Sequence, residues 1–220
     1  MIKLVVFDWN GTLLADAHAC LDADNHVLQI FGGKPIDLNT YRKTVVIPAI
    51  DFLIQHGCDR NRLIKETKLL GNVFHHSYEP RASKVRTRIN AHKLLHWLHR
   101  NKITSIIVSN HTVVGIESQL QRLKLEKYFS KLLANTDLVS SMKKRGKREK
   151  VEDYLKDATF KKSEVTIIGD SPEEVEIGKH LGITTIAITD GLYSTPRLIK
   201  SNPDYLISNL KEVIDIIKNI

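Results

Sequence analysis

Apolar positions along this chain follow two patterns. Some form short unbroken runs, as expected for strands of a parallel sheet, which are covered on both faces and need not alternate. Such runs occupy residues 2–7 (IKLVVF), 103–108 (ITSIIV), 165–168 (VTII) and 184–188 (TTIAI), with a weaker one at Tyr205-Leu206-Ile207. Between the runs, apolar residues recur at three- and four-residue spacing, the mark of one helix face. Leu94, Leu95 and Leu98 precede the second run, and Val151, Tyr154 and Leu155 precede the third. The stretch Val175 to Leu181 precedes the fourth, and Leu210, Val213, Ile216 and Ile217 close the chain. Strand–helix alternation of this kind predicts an α/β fold with a parallel sheet.

Residues 16–87 break the alternation, because the gap between the first two strands far exceeds a simple crossover. The pattern there predicts helices at roughly 18–31, 37–56 (interrupted at Pro48) and 60–77, punctuated by Gly32-Gly33, Gly57 and Pro80. The expected organisation is a core domain of residues 1–15 and 88–220, with residues 16–87 as a helical domain inserted over one edge of the sheet.

Composition narrows the picture. A chain of 220 residues is one large domain or a domain plus an insertion, and 42% hydrophobic with 26% charged residues excludes a disordered chain. Cys20 and Cys58 are too few for a disulfide framework. With no leader segment they predict free thiols in a reducing, cytoplasmic compartment. The opening run is too short for a signal-peptide core, and no run approaches the roughly 20 apolar residues that span a membrane. Net charge is +8 (33 Lys+Arg, 25 Asp+Glu), which suits either nucleic-acid binding or an enzyme that draws in anions. Aromatics are only 6% and are not interleaved with the basic runs, so a single-strand stacking platform is disfavoured. The expected partner is therefore a small anionic molecule, not nucleic acid or a membrane.

In parallel α/β sheets, ligands sit beyond the carboxyl ends of the strands. Asp8, Ser109 and Asp170 follow three such ends. Turn chemistry explains any one of them but not the set. Asp8 leads into Trp9-Asn10-Gly11-Thr12, where Gly11 permits a tight turn and Thr12 supplies a hydroxyl. Asp8 and Asp170 together could hold Mg²⁺, which takes one or two protein carboxylates plus water and a substrate phosphate. Ser109 can donate to a phosphoryl oxygen, and a lysine of the run 143–150 can neutralise developing charge. A carboxylate nucleophile, a metal, a hydroxyl and a lysine suit phosphoryl transfer through an aspartyl-phosphate.

The segments VVFDWNGTLL, ITSIIVSN, a basic segment with Lys147, and VTIIGDSPEEVEIGKHLG resemble, in order, the four motifs of the haloacid dehalogenase superfamily. The resemblance covers about 130 core residues and is nearest to the phosphoglycolate-phosphatase-like branch; the helical insertion matches only in position and character. It implies a Rossmann-like parallel sheet sandwiched by helices, with an α-helical cap. It also implies a Mg²⁺-dependent phosphatase acting on a small phosphorylated metabolite. Carried over, Asp8 is the nucleophile and a metal ligand, and Asn10 offers its backbone carbonyl to the metal. Thr12, Ser109 and Asn110 hold the nucleophile loop and the phosphoryl group. Lys147, 23 residues before Asp170, is the charge-shielding lysine, with Lys143, Lys144 and Lys150 as rivals. Asp170 binds Mg²⁺ directly, and Glu174, with Glu173 as its rival, acts through metal-bound water.

Two positions depart from the family pattern. Phosphatases of this family carry an aspartate two residues after the nucleophile as general acid and base; here it is Asn10, which cannot take a proton. Such a loss costs about 10²–10⁴-fold, so a slow phosphatase is expected. The same departure keeps open a phosphotransferase, a non-catalytic phospho-ligand-binding protein and, given the charge, a nucleic-acid end-processing phosphatase. Glu174 stands where the family has aspartate. Elsewhere, His92, His96 and His99 share a helix face beside the apolar stripe and are expected to be solvated. Among residues 16–87, Arg42, Lys43, Arg60 and Arg62 hint at a second anionic group on the substrate, and His75 or His76 could touch it.

Overall fold

The computed structural model describes residues 1–143 and 145–220. Among these, six parallel strands form one sheet: β1 (Leu4–Phe7), β2 (Thr104–Thr112), β3 (Lys131–Asn135), β4 (Val165–Gly169), β5 (Thr184–Ile188) and β6 (Tyr205–Ile207), in the order β3-β2-β1-β4-β5-β6. β1 lies inside the sheet, with Leu4 in register with Thr104 of β2 and Val165 of β4. Every residue of β1 and β4 is buried, which is why these strands read as unbroken apolar runs.

Five helices follow β1: α1 (Ala17–Ile30), α2 (Leu38–Thr44), α3 (Ala49–Gln55), α4 (Arg60–Lys65) and α5 (Thr67–Ala82). Seven more alternate with the later strands: α6 (Ala91–Arg100), α7 (Val113–Leu123), α8 (Ser140–Lys143), α9 (Lys147–Asp157), α10 (Pro172–Leu181), α11 (Thr195–Ser201) and α12 (Glu212–Asn219). The pleat of β1 sends Val5 and Phe7 to one face, where they join Leu94, Leu95, Leu98, Leu120, Val213 and Ile217 from α6, α7 and α12. Leu4 and Val6 face the other side, with Val151 of α9 and Ile177 of α10. Each such aliphatic side chain contributes roughly 1.5–3 kcal/mol when taken out of water. The fold class is therefore a doubly covered, Rossmann-like α/β sheet.

The inserted segment has its own apolar cluster, including Val27, Leu28, Phe52, Leu53, Leu63 and Leu70, which continues into Val175, Ala187, Tyr193 and Leu198. α1 matches the predicted 18–31, and the predicted interruption at Pro48 separates α2 from α3, with Pro48 as N-cap of α3. Asp37 and Asp59 cap α2 and α4 through Thr40 N and Arg62 N, each at 2.7 Å. The stretch predicted at 60–77 divides at Glu66, and Pro80 does not break α5 but lies in its last turn.

Two strand features also differ from expectation. β3 is an additional strand: this five-residue edge strand is only partly covered, and its apolar run is just Leu132-Leu133-Ala134. β2 runs beyond Val108 to Thr112, and its pairing with β3 shifts register between those two residues. Thr112 then caps α7 by accepting from Gly115 N at 3.2 Å.

Cys20 and Cys58 are buried free thiols. His92, His96 and His99 are all exposed. No helix among the described residues is long and apolar enough to cross a membrane.

Candidate active site

The carboxyl ends of β1, β2 and β4 bring Asp8, Ser109 and Asp170 to one cavity, which Asn10, Asn110, Lys147 and Glu173 also line. Asp8 N still donates to Ile168 O at 2.9 Å, so the sheet ladder fixes the backbone of Asp8. Its side chain is buried, and Oδ1 accepts from Lys147 Nζ at 2.7 Å. Lys147 opens α9 and is the only buried lysine or arginine among the described residues. Of its rivals, Lys143 is exposed, and Lys150 Nζ donates to Asn135 Oδ1 at 2.5 Å. Lys144 lies outside the described residues.

Asp170 faces Asp8 across the Thr12 hydroxyl, which lies 3.2 Å from Asp8 Oδ2 and 3.1 Å from Asp170 Oδ1. Thr12 is fully buried and not part of the cavity wall, so it links the two carboxylates where the sequence suggested contact with a phosphoryl group. Asp170 Oδ2 also accepts from Leu192 N. Gly11 adopts φ +71°, and a Cβ there would fall against Asp170 Oδ2, so glycine is needed both for the turn and for the close approach.

Ser109 Oγ accepts from His111 N at 3.0 Å and donates to Asn10 Oδ1 at 3.4 Å. Asn110 Nδ2 donates to Glu173 Oε2 at 2.9 Å, while its own Oδ1 is buried with no hydrogen-bond partner. Glu174, which the sequence suggested as a metal-side carboxylate, has both oxygens engaged within the protein. Oε1 accepts from Lys147 Nζ at 2.5 Å, and Oε2 accepts from Ser171 Oγ at 2.6 Å and Ser171 N at 3.2 Å. These last bonds complete the capping box that starts α10, with Pro172 in its first turn. Glu174 thus positions Lys147, and Glu173 is the residue that reaches the cavity.

Asn10 sits in a network that spacing gave no hint of. Its Nδ2 donates to Asp16 Oδ2 at 2.6 Å and lies 2.7 Å from Tyr78 Oη, and Tyr78 Oη donates to Asp16 Oδ2 at 2.6 Å. Asp16 is a favourable residue type at the N-cap of α1 yet makes no cap bond; its Oδ1 accepts from Gly11 N at 2.7 Å instead. Tyr78 belongs to α5, 62 residues further along the chain, so only the folded structure reveals the contact.

Burial pushes the Asp8 carboxyl well up, with Glu174 and Asp170 adding to the effect and Lys147 opposing it. Burial likewise raises Asp170 to about 6, reinforced by Glu174 and opposed by Leu192 N. Lys147 is also buried, but Asp8, Glu174 and Glu173 outweigh that and hold it protonated. One ammonium thus serves several buried carboxylates. Oxygen donors with uncompensated negative charge fit a hard divalent cation.

Val45, Val46, Ile47, Phe52, Phe74 and Met142 form an apolar stretch of the cavity wall, beside polar lining residues that include Asp24, Tyr41, His75, Tyr78 and His111. Tyr41 Oη donates to Asp24 Oδ2 at 2.9 Å, and both residues are buried. Arg42, Lys43, Arg60 and Arg62 are not among the lining residues. Arg42 is occupied by the carbonyls of Asp190 and Gly191 at 2.9 Å each, and Arg62 donates to Ile30 O at 3.1 Å. The suggested second anionic subsite on these four residues is therefore absent from the cavity wall. His75 lines the cavity, whereas His76 is exposed.

Comparisons with known proteins bear on the family and the fold. A family model described as haloacid dehalogenase-like hydrolase matches residues 5–188. The chain is 24% identical to a phosphoglycolate phosphatase of Photorhabdus laumondii, covering 98% of this chain and 92% of that protein. It is 22% identical to a pyrophosphatase of Oceanobacillus iheyensis, covering 98% and 97%. Its fold superposes with a TM-score of 0.82 on a haloacid dehalogenase-like family hydrolase from Streptococcus pneumoniae, at 17% identity and 98% coverage of each chain. With the match running from β1 through β5 and taking in the residues around Asp8, Ser109, Lys147 and Asp170, the chain belongs to the haloacid dehalogenase-like hydrolases.

Proposed function

We propose that this protein is a Mg²⁺-dependent phosphomonoesterase that forms a phosphoenzyme on Asp8 and acts on a small phosphorylated metabolite with an apolar organic part. The observation that carries the reading is the convergence on Asp8 of a buried ammonium at 2.7 Å and, through Thr12, a second buried carboxylate. Asp8, Asp170 and the Asn10 carbonyl would hold the ion, with Glu173, which reaches the cavity, behind a bound water. When present, the ion supplies charge neutralisation on the phosphoryl oxygens and between the two aspartates.

The chain's own residues do the rest. Lys147, fixed by Glu174, aligns the Asp8 carboxylate and offsets charge on the transferring group. Ser109 and Asn110 orient the phosphoryl oxygens. Asp8 Oδ bonds to phosphorus as the ester oxygen departs, and water later cleaves the acyl phosphate to release inorganic phosphate. Asn10 orients groups through its amide but moves no proton, so the hydrolysis step is slow. The apolar wall excludes water and takes the organic part of the substrate.

Turnover of an aryl phosphate with and without Mg²⁺, with tritiated borohydride to reduce any acyl phosphate on Asp8 to labelled homoserine, tests the proposal. Mg²⁺-dependent release and labelling of Asp8 are expected. Undiminished turnover in Asp8→Asn would overturn it.

A further inference from the structure

Where α5 meets the end of β2, three donors converge that the phosphoryl site does not use. His75 and Glu79 lie four residues apart on one face of α5, and His111 follows Ser109 by two residues on β2. Glu79 Oε1 stands 3.1 Å from His111 Nε2 and 3.4 Å from His75 Nδ1, and all three donor atoms lie within 4.8 Å of one another. Tetrahedral ligands at zinc distances of about 2.0–2.1 Å are roughly 3.3 Å apart, so two of the three edges already have that length.

Two further observations point to a ligand. His111 is 8% exposed, and its Nε2 is buried without a hydrogen-bond partner although Glu79 is within reach. The nitrogen and the carboxylate oxygen thus stand 3.1 Å apart without a hydrogen bond between them, which leaves the nitrogen available to a ligand. The space beside them is kept open by Gly115, where a Cβ would lie 2.9 Å from Glu79 Oε1 and closer still to His111 Nε2.

We propose that His75, Glu79 and His111 form a binding site for zinc or a similar first-row transition metal, distinct from the Asp8–Asp170 centre. Two imidazoles with one carboxylate suit Zn²⁺ and not Mg²⁺, which prefers all-oxygen surroundings. His75 and His111 both line the cavity, so the remaining coordination position opens toward it. Because the ligands come from α5 and β2, the ion also ties the inserted helices to the sheet.

The test is calorimetric titration of the metal-stripped full chain with ZnCl₂ in excess Mg²⁺, alongside the visible spectrum of the Co²⁺-loaded protein. One equivalent of tight binding and a tetrahedral Co²⁺ spectrum are expected. Loss of a supporting partner alone weakens metal sites about 10–100-fold, so Glu79→Gln and His111→Gln should each weaken binding at least about tenfold. Asp170→Asn and a double His92→Asn, His96→Asn variant should bind as the parent does. Absence of stoichiometric binding by the parent overturns the proposal whatever the variants do. So does binding that survives both ligand variants, or binding abolished by Asp170→Asn or by the surface histidine pair.

Discussion

Asn10 turns its amide nitrogen onto the Asp16 carboxylate, with Nδ2 2.6 Å from Oδ2. The amide at this position is therefore matched to a buried acid. Restoring an aspartate in Asn10→Asp alone would set two carboxylates against each other, raise the new carboxyl group and destabilise the fold at neutral pH. The exchanged pair Asn10→Asp, Asp16→Asn keeps one acid and one amide. It is expected to melt near the parent and to turn over an aryl phosphate at least about tenfold faster, recovering part of the 10²–10⁴ that general acid–base catalysis supplies. Parallel melts and kcat values for the two variants decide the matter; equal activity in both would refute the matching.

Asp8 and Lys147 should respond unequally to removal. In Asp8→Asn the ammonium keeps Glu174 at 2.5 Å, and a carboxyl that burial already disfavours is gone. Turnover should fall at least about 10³-fold with stability unchanged or raised. Lys147→Met leaves Asp8 and Glu174 buried without their cation, a loss of about 3–5 kcal/mol by analogy with broken buried pairs. Urea denaturation of the two variants checks the asymmetry.

Burial pushes Asp24 from 3.8 to about 7, against the opposing hydrogen bond from Tyr41. Between those values the folded protein holds a proton that the unfolded chain has lost. Stability therefore falls as pH rises from about 4 through 7 and levels off above, by up to about 4 kcal/mol from this group. Asp24→Asn keeps an acceptor for Tyr41 and should melt higher than the parent at pH 8, with the gap closing toward pH 4. A gap independent of pH would contradict the assignment.

The apolar wall predicts substrate preference. Val46 and Phe74 line the cavity, and Phe74 stacks on Tyr78 with ring centroids 5.6 Å apart. An aryl phosphate should exceed a carboxylate-bearing phosphate of similar size in kcat/KM by tenfold or more. Val46→Lys should narrow that ratio by favouring the second anion. A preference for the carboxylate-bearing phosphate in the parent would count against the apolar reading.

Much of this arrangement is legible in the sequence, because strands covered on both faces are apolar throughout. Four of the six strands follow from that, and β6 from a shorter apolar run; the place of Lys147 at the start of a helix comes instead from the family resemblance. β3 escapes because its run of Leu132-Leu133-Ala134 is short and none of the three is fully buried. Asp16 and Tyr78 escape for another reason: no local period joins two residues 62 positions apart. Glu174 matches its motif in spacing, yet its bonds to Lys147 and Ser171 become visible only in the fold. His111 lacked any signal beyond its nearness to Ser109.

The register shift in β2 has a consequence for how this site can change. In an evenly pleated strand, neighbouring side chains point to opposite faces, so three in succession could not share one chamber. Slippage between Val108 and Thr112 lets Ser109, Asn110 and His111 all reach the same space. The hydroxyl, the amide and the imidazole are thus separate tools on a single short segment, and exchanging the imidazole can alter what the chamber accepts while the other two keep their seats.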